Sequence, residues 1–164
     1  MKKLSIFILI FLLIIPLSPQ AKTESINEDE VFPFLQEAFK AQVALSEAPR
    51  TKEEITELLN PYFSTSYQSI FWAENIVEEG GMFLTYGSDF APNYIPFFQY
   101  SKETKIIQRP GKVYVYEYFP AMNEGPVSYD GHYKGLLLKK FNGIWKVDQL
   151  FIGDMPKTVV ESDF

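Results

Sequence analysis

His132 is the only histidine in the chain, and it lies between Gly131 and Tyr133 in a stretch marked by turn residues. Because imidazole titrates near neutral pH, His132 is a candidate general acid or base, paired with Asp130 or with a carboxylate from another strand. The alternative interpretation is a histidine at a loop edge with an ordinary hydrogen bond. A single histidine excludes every site that needs two imidazoles, such as the H-E-x-x-H zinc site.

Glu117 is the second candidate for acid–base chemistry, because it interrupts an otherwise apolar face of a predicted strand. A carboxyl group among apolar side chains has a raised pKa, which proton transfer near neutral pH requires. The alternative is a strand face that meets solvent at the edge of the sheet. Asp148 is a weaker candidate, since Lys139 or Lys146 is close enough in a hairpin to neutralise it.

Aromatic residues concentrate between residues 86 and 100. They are Tyr86, Phe90, Tyr94, Phe97, Phe98 and Tyr100. Such side chains line pockets for apolar or sugar-like ligands, although they also build hydrophobic cores, and both interpretations stay open. Asp89, in the same stretch, is interpreted as a turn or cap residue rather than a catalyst. The candidate ligand-binding residues of the whole chain are Tyr86, Tyr94, Tyr116, His132 and Gln149.

Several classes of chemistry have no support in this sequence. The chain has no cysteine, which excludes disulfides, thiolate nucleophiles and all Cys-containing zinc or iron–sulfur sites. Its serines lack a G-x-S-x-G context, and no G-x-x-x-x-G-K or G-x-G-x-x-G phosphate loop occurs. We therefore expect no cofactor and no metal.

Residues 1–21 have the layout of a signal peptide. Lys2 and Lys3 precede a run from Leu4 to Ile15 that is apolar apart from Ser5, and Pro16 follows. The run is short for a bilayer span of about 20 residues. Because the cleavage motif is poor, an uncleaved N-terminal anchor is the alternative. Residues 22–28 are predicted to be a polar tether.

Charge and composition indicate where the protein acts. The chain carries 15 basic and 21 acidic residues, and removal of the signal segment takes away two lysines. Such an acidic protein is not expected to bind nucleic acid. Export without disulfides is typical of bacteria, so we predict a secreted or extracytoplasmic bacterial protein. Its expected partner is a small ligand or another exported protein, with membrane contact only through an uncleaved N-terminal segment.

The candidate residues must be positioned by three helices followed by strands. Apolar residues from Val31 to Leu45 recur at helical spacing. Thr51 and Glu54 form a capping box for a second helix. A third helix is predicted to begin at Ser64 or Thr65 and to end at Gly80-Gly81. The predicted strands are Met82–Tyr86, an edge strand Ile95–Tyr100, Lys105–Arg109, Val113–Phe119, and a final hairpin over Tyr133–Ile152.

The final hairpin turns at Asn142-Gly143, a dipeptide that favours a type I′ turn. A two-residue turn places Phe141 opposite Ile144, and a constant register then sorts the remaining side chains. The predicted packed face holds Leu136, Leu138, Trp145 and Val147, with Leu136 opposite Gln149. The other face holds Lys139, Lys146 and Asp148. The polar pocket candidates of this hairpin are then His132 and Gln149.

The order of these elements, together with Asn142-Gly143-Ile144-Trp145-Lys146-Val147, resembles the nuclear-transport-factor-2-like, or SnoaL-like, cone. The runs YFSTSYQSIF, TYGSDF, IPFF, VYVYEYFP and EGPVSYDGHY resemble a domain-of-unknown-function family of exported proteins of spore-forming Gram-positive bacteria. This resemblance implies a location in a Gram-positive cell envelope. The fold resemblance implies an α+β domain over residues 29–155, with N-terminal helices packed on a strongly curved antiparallel sheet (a cystatin-like or SnoaL-like cone). It also implies a pocket at the open end of the cone. Residues 156–164 are left as a C-terminal tail.

Three functional hypotheses follow. The first is an exported, non-enzymatic binding or interaction module that takes a small ligand or a protein partner at the cone mouth. The second is a SnoaL-like isomerase, dehydratase or hydrolase that uses Glu117, His132 or Asp148 as acid or base. The third is a homodimer formed through the sheet.

Overall fold

A computed structural model describes residues 25–87, 91–124 and 128–161. The elements in chain order are α1 (Glu28–Val43), a 3₁₀ turn (Ala44–Ser46), α2 (Lys52–Leu59), α3 (Thr65–Asn75), β1 (Val77–Glu79), β2 (Met82–Leu84), β3 (Lys105–Arg109), β4 (Lys112–Phe119), β5 (His132–Phe141), β6 (Ile144–Gly153) and α4 (Lys157–Val160). The predicted α+β class is confirmed. The predicted signal peptide, part of the tether, Asp89 and Phe90 lie outside the described residues. Among the helices of these three ranges, none is long and apolar enough to cross a bilayer.

Local side-chain caps start the second and third helices, and the capping box of the second helix confirms the prediction. At α2, the Glu54 amide donates to Thr51 Oγ1 (3.2 Å) and the Thr51 amide donates to Glu54 Oε2 (2.8 Å), which completes the capping box. At α3, the Tyr67 amide donates to Ser64 Oγ over 3.2 Å. Each bond satisfies an amide that the helix itself leaves without a partner.

Helix α3 is shorter than predicted. It ends at Asn75, and Gly80 and Gly81, expected to stop the helix, instead form the turn between β1 and β2. Their φ angles of +60° and +82° suit a tight hairpin turn, which two adjacent glycines adopt readily. On the exposed side of this helix, Ile70 is 54% exposed.

The main sheet is an antiparallel meander in the order β3-β4-β5-β6. Strand β4 buries side chains on both faces: Val113 and Val115 face the main core, while Tyr116 is buried on the opposite, outer face. The helices pack on the core face. On the outer face, Met155 and Val159, from the segment around α4, pack against Tyr116.

The closing hairpin confirms its predicted turn and corrects its predicted register. Asn142 and Gly143 have φ angles of +49° and +87°, as a type I′ turn requires. The predicted pairing holds as far as Leu138 with Val147. A β-bulge then shifts the register, so Gln149 lies opposite Leu137 rather than Leu136.

The bulge occurs where β6 makes a contact on its free edge. The Val147 amide donates to the Tyr62 carbonyl (2.8 Å), and the Ser64 amide donates to the Val147 carbonyl (2.9 Å). The corner between α2 and α3 therefore covers part of this edge strand. The extra residue reverses which side chains of β6 point to the core face and which to the outer face. Gln149 therefore becomes an exposed residue of the outer face.

The predicted edge strand Ile95–Tyr100 is wrong, since residues 91–104 contain neither helix nor strand. A fully buried glutamine, Gln42 of α1, supplies hydrogen bonds that a neighbouring strand would otherwise supply. Its Nε2 donates to the Asn93 carbonyl (2.9 Å), and its Oε1 accepts from the Ile95 amide (2.9 Å). Tyr67 of α3 donates to the same Asn93 carbonyl over 2.5 Å. Buried backbone groups are thereby paired without a sheet.

We expect Gln42→Leu to lower the free energy of unfolding by about 2 kcal/mol, because the Ile95 amide loses its acceptor while it stays buried. The Asn93 carbonyl keeps Tyr67 as a donor. Urea denaturation of the whole chain measures the loss. Gln36→Leu, at an exposed position of the same helix, is the control and leaves stability within about 0.5 kcal/mol. Equal stability of the two variants would contradict this role of Gln42.

Candidate functional site

Glu117 is a buried carboxylate with two hydrogen-bond donors. Its side chain is 2% exposed, so the interpretation of a strand face that meets solvent is wrong. Oε2 accepts from the Gln99 amide (2.9 Å) and from the Thr104 hydroxyl (2.8 Å). Both donors belong to the irregular segment 91–104. Their hydrogen bonds to the carboxylate therefore hold the end of that segment against β4.

Tyr100 lies beside this carboxylate in an uncommon backbone conformation. Its φ of +51° falls in the left-handed region that bulky residues rarely adopt. Burial, and secondly the charge of Glu117, raise the pKa of Tyr100 to about 12. The hydrogen bonds at Gln99 and Thr104, on either side of Tyr100, hold the chain in this turn.

His132 sits at the start of β5, opposite Phe119 of β4. Its ring stacks on Phe119 with centroids 5.9 Å apart and meets Tyr129 edge-on at 5.3 Å. Nδ1 lies 2.8 Å from the backbone carbonyl of Asp130, so its contact with that residue is to the main chain rather than to the carboxylate. This geometry agrees with the interpretation of a loop-edge histidine with an ordinary hydrogen bond.

The five candidate ligand-binding residues are not brought into one place. Tyr86 is 77% exposed and donates to Glu79 over 2.6 Å. Tyr94 belongs to the main core, where it donates to Thr85 Oγ1 over 3.1 Å. Tyr116 and Gln149 lie on the outer face of the sheet, and His132 lies at the end of the core face. A common pocket is therefore not formed by this set.

Asp148 occupies the bulge and forms an ion pair. Lys139 Nζ lies 2.6 Å from its Oδ2, and the Ser66 hydroxyl donates to Oδ1 over 3.3 Å. Burial raises the pKa of Asp148, but the bonds from Lys139 and from serine side chains outweigh it and hold the pKa below its ordinary value. The expectation that a neighbouring lysine neutralises Asp148 is confirmed.

The structure shows a different candidate site, a groove of about 410 Å³ between α2 and α3. We call it the α2–α3 groove. Its lining consists of one lysine, three hydroxyl residues, two amides and one tryptophan: Lys52, Thr56, Asn60, Thr65, Gln68, Ser69 and Trp72. No lining residue is acidic, although the chain as a whole carries a net charge of −6.

Trp72 is the one aromatic side chain of the groove lining, and it is half-buried. Phe83 packs against the indole with centroids 5.1 Å apart. The ammonium group of Lys52 lies 5.6 Å from the ring centroid, a cation–π distance. The ring is thus held in one orientation by its neighbours at the border of the groove.

The polar groups of the groove have defined hydrogen-bond roles. The hydroxyls of Thr56 and Ser69 each donate to a carbonyl of their own helix over 2.9 Å. Gln68 Nε2 donates to the Phe63 carbonyl (2.9 Å), and Asn60 Oδ1 accepts from Lys146 Nζ (2.9 Å). The oxygens of Thr56, Ser69 and Gln68 keep acceptor capacity, while Lys52 and the Asn60 amide nitrogen remain donors.

The residues that line this groove are not among the candidates predicted from the sequence, but the sequence does contain a signal for them. Thr65, Gln68, Ser69 and Trp72 follow i, i+3, i+4, i+7 spacing, which places one tryptophan among polar groups on one helical face. Lys52, Thr56 and Asn60 form a similar polar row on α2. Within the described ranges, no group of three or more His, Cys, Asp or Glu side chains is arranged to hold a metal ion.

Comparison with known proteins gives one family match. Residues 27–119, more than half of the chain, match the family described as "Protein of unknown function (DUF3993)". No curated protein matches the sequence. The matched residues contain both helices of the α2–α3 groove and Glu117.

We expect Glu117→Ala to cost about 3 kcal/mol of unfolding free energy, because the Gln99 amide and the Thr104 hydroxyl both lose their acceptor. Glu117→Gln keeps one acceptor oxygen and costs about 1 kcal/mol. Urea denaturation compares both variants with Glu78→Ala, at an exposed position of β1. An Ala variant as stable as the Glu78 control would show that Glu117 does not anchor the segment.

We expect the ion pair of Asp148 to make stability depend on pH. Because the pKa of Asp148 is lower in the folded chain than its ordinary 3.8, its stabilisation is present above that value and is lost as pH falls through the folded pKa. Asp148→Asn therefore destabilises the chain by about 1 kcal/mol at pH 7 and by less at pH 3. Thermal unfolding at both pH values measures this, with the exposed Asp154→Asn as control. A pH-independent difference would be inconsistent with the ion pair.

Proposed function

From the premise that this chain belongs to the DUF3993 family of unknown function, we propose that it is an exported, non-enzymatic binding module whose ligand occupies the α2–α3 groove. The observation that supports this most is the half-buried Trp72 at the border of an accessible groove whose other lining groups are hydroxyls, amides and one ammonium. Binding sites combine such an aromatic surface with a few polar groups that orient the ligand. The groove replaces the cone mouth as the proposed site.

The arrangement of the acid–base candidates favours binding over catalysis. Glu117 is 2% exposed, and both of its bonds go to segment 91–104. His132 contacts aromatic rings and a backbone carbonyl. A SnoaL-like isomerase, dehydratase or hydrolase would need one of these groups to reach a substrate, which the burial of Glu117 opposes.

The proposed location has its support in the sequence, and the proposed finer fold in the order of helices and strands. Lys2, Lys3 and the apolar run to Ile15 support export, with an N-terminal membrane anchor as the alternative. The resemblance to an exported family extends this proposal to a Gram-positive cell envelope. Helices that precede an antiparallel meander closed by the Asn142-Gly143 hairpin support the SnoaL-like cone. We also propose that the chain is related to an exported family of spore-forming bacteria.

A homodimer through the sheet has less support than a ligand site. The outer face at Tyr116 is already covered by Met155 and Val159 of the same chain. Met155 packs closely against β5, since a Cβ atom on Gly135 would lie 2.6 Å from Met155 Sδ. A dimer centred on this part of the sheet would have to displace that segment.

We expect a ligand in the α2–α3 groove to change the environment of Trp72 and not that of Trp145, the only other tryptophan. Fluorine NMR of the chain labelled with 5-fluorotryptophan reports both residues separately, and Trp72→Phe assigns the signals. The probes are a mixed panel of small aromatic, anionic and polyhydroxylated compounds. At least one compound is expected to shift the Trp72 signal with saturation while the Trp145 signal stays unchanged.

Two results would overturn the proposed site. One is a panel in which no compound moves the Trp72 signal. The other is saturable binding that moves only the Trp145 signal, since Trp145 lies on β6 and does not line the groove.

A further inference from the structure

We infer that the ligand of the α2–α3 groove is a neutral saccharide. This inference rests on the proposed function, because it specifies the chemical class of the ligand for the same groove. The juxtaposition that carries it is one tryptophan ring bordered by three oxygens that keep acceptor capacity (Thr56, Ser69 and Gln68) and by two donor groups, those of Lys52 and Asn60.

The acceptors come from side chains whose protons are already used within the protein. The Thr56 and Ser69 hydroxyls donate to helix carbonyls, and Gln68 donates through Nε2. What these groups offer a ligand is oxygen lone pairs. A carboxylate or phosphate ligand, which only accepts, would meet these acceptors with no proton to share. The lining therefore disfavours an anion despite the presence of Lys52.

The donors complete a pattern that suits alcohol groups. Lys52 carries an ammonium group, and Asn60 has an amide nitrogen whose companion oxygen is fixed by Lys146. A sugar hydroxyl both donates and accepts, so it can bridge an acceptor such as Ser69 and a donor such as Asn60. An apolar ligand would leave both kinds of group without partners, at a cost in affinity.

Trp72 supplies the apolar part of the recognition. The C–H face of a pyranose is flat and apolar, as the indole ring is. The Lys52 ammonium lies over that ring, 5.6 Å from its centroid, so a sugar that stacks there displaces it and can accept from it. Phe83 packs against the indole and limits its rotation, so little side-chain entropy is lost when a sugar stacks on it. The groove volume of about 410 Å³ is within the range of small-ligand sites.

The test uses neutral tetrasaccharides of glucose, N-acetylglucosamine and xylose as probes, with tetragalacturonate as the anionic comparison. We expect at least one neutral tetrasaccharide to shift the fluorine signal of Trp72. Trp72→Ala is expected to weaken its binding at least tenfold, and Asn60→Leu and Ser69→Ala at least threefold each. Trp145→Phe, outside the groove, is the matched control and leaves the affinity unchanged. Isothermal titration calorimetry measures the affinities, and circular dichroism checks that each variant is folded.

The outcomes separate the two proposals. If other compounds shift the Trp72 signal but no neutral saccharide does, the saccharide inference fails and the binding module stands. Tighter binding of tetragalacturonate than of every neutral sugar also overturns the inference. If no compound moves the Trp72 signal, both proposals fail. Because Asn60 and Ser69 are exposed, their variants keep the test valid if Trp72→Ala does not fold.

Discussion

The fold depends on the pairing of buried backbone groups in the irregular segment 91–104. This segment covers the core without belonging to a sheet, so its amides and carbonyls need partners from side chains. Gln42 provides two of them, because a primary amide donates and accepts in the same way as the edge of a strand. Without such partners, the aromatic residues that the segment contributes to the core could not be buried at acceptable cost.

At the other end of the segment, Glu117 provides the hydrogen-bond acceptor that buried polar groups need. A buried carboxylate usually suggests catalysis, since burial and partial pairing are how enzymes adjust a pKa. Here the two donors to Glu117 are the chain's own Gln99 and Thr104, and they hold Tyr100 in a left-handed conformation. A carboxylate within an apolar strand face made Glu117 a catalytic candidate in the sequence. In the structure that carboxylate accepts the hydrogen bonds of segment 91–104, which accounts for its burial.

Features governed by neighbouring residues were predictable from the sequence. The Thr51–Glu54 box and the Asn142-Gly143 turn depend on side chains and φ angles within four residues, and both are present. The bulge at Asp148 was not predictable, since it accompanies bonds between Val147 and the distant Tyr62 and Ser64. The same limit affected the candidate site: the polar rows of α2 and α3 are each visible in the sequence, but only tertiary packing brings them face to face.

The groove and the closing hairpin are mechanically connected. Val147 pairs with Tyr62 and Ser64, which join the two groove helices, while Lys146 bonds Asn60 at the groove itself. Asp148 then reaches Ser66 in the first turn of α3. Three successive residues of β6 thus hold the corner between α2 and α3, so the groove is formed before any ligand arrives. A preformed site loses less entropy on binding than one that must close. Because the family match ends at Phe119, β6, which holds the groove in shape, lies outside the matched residues.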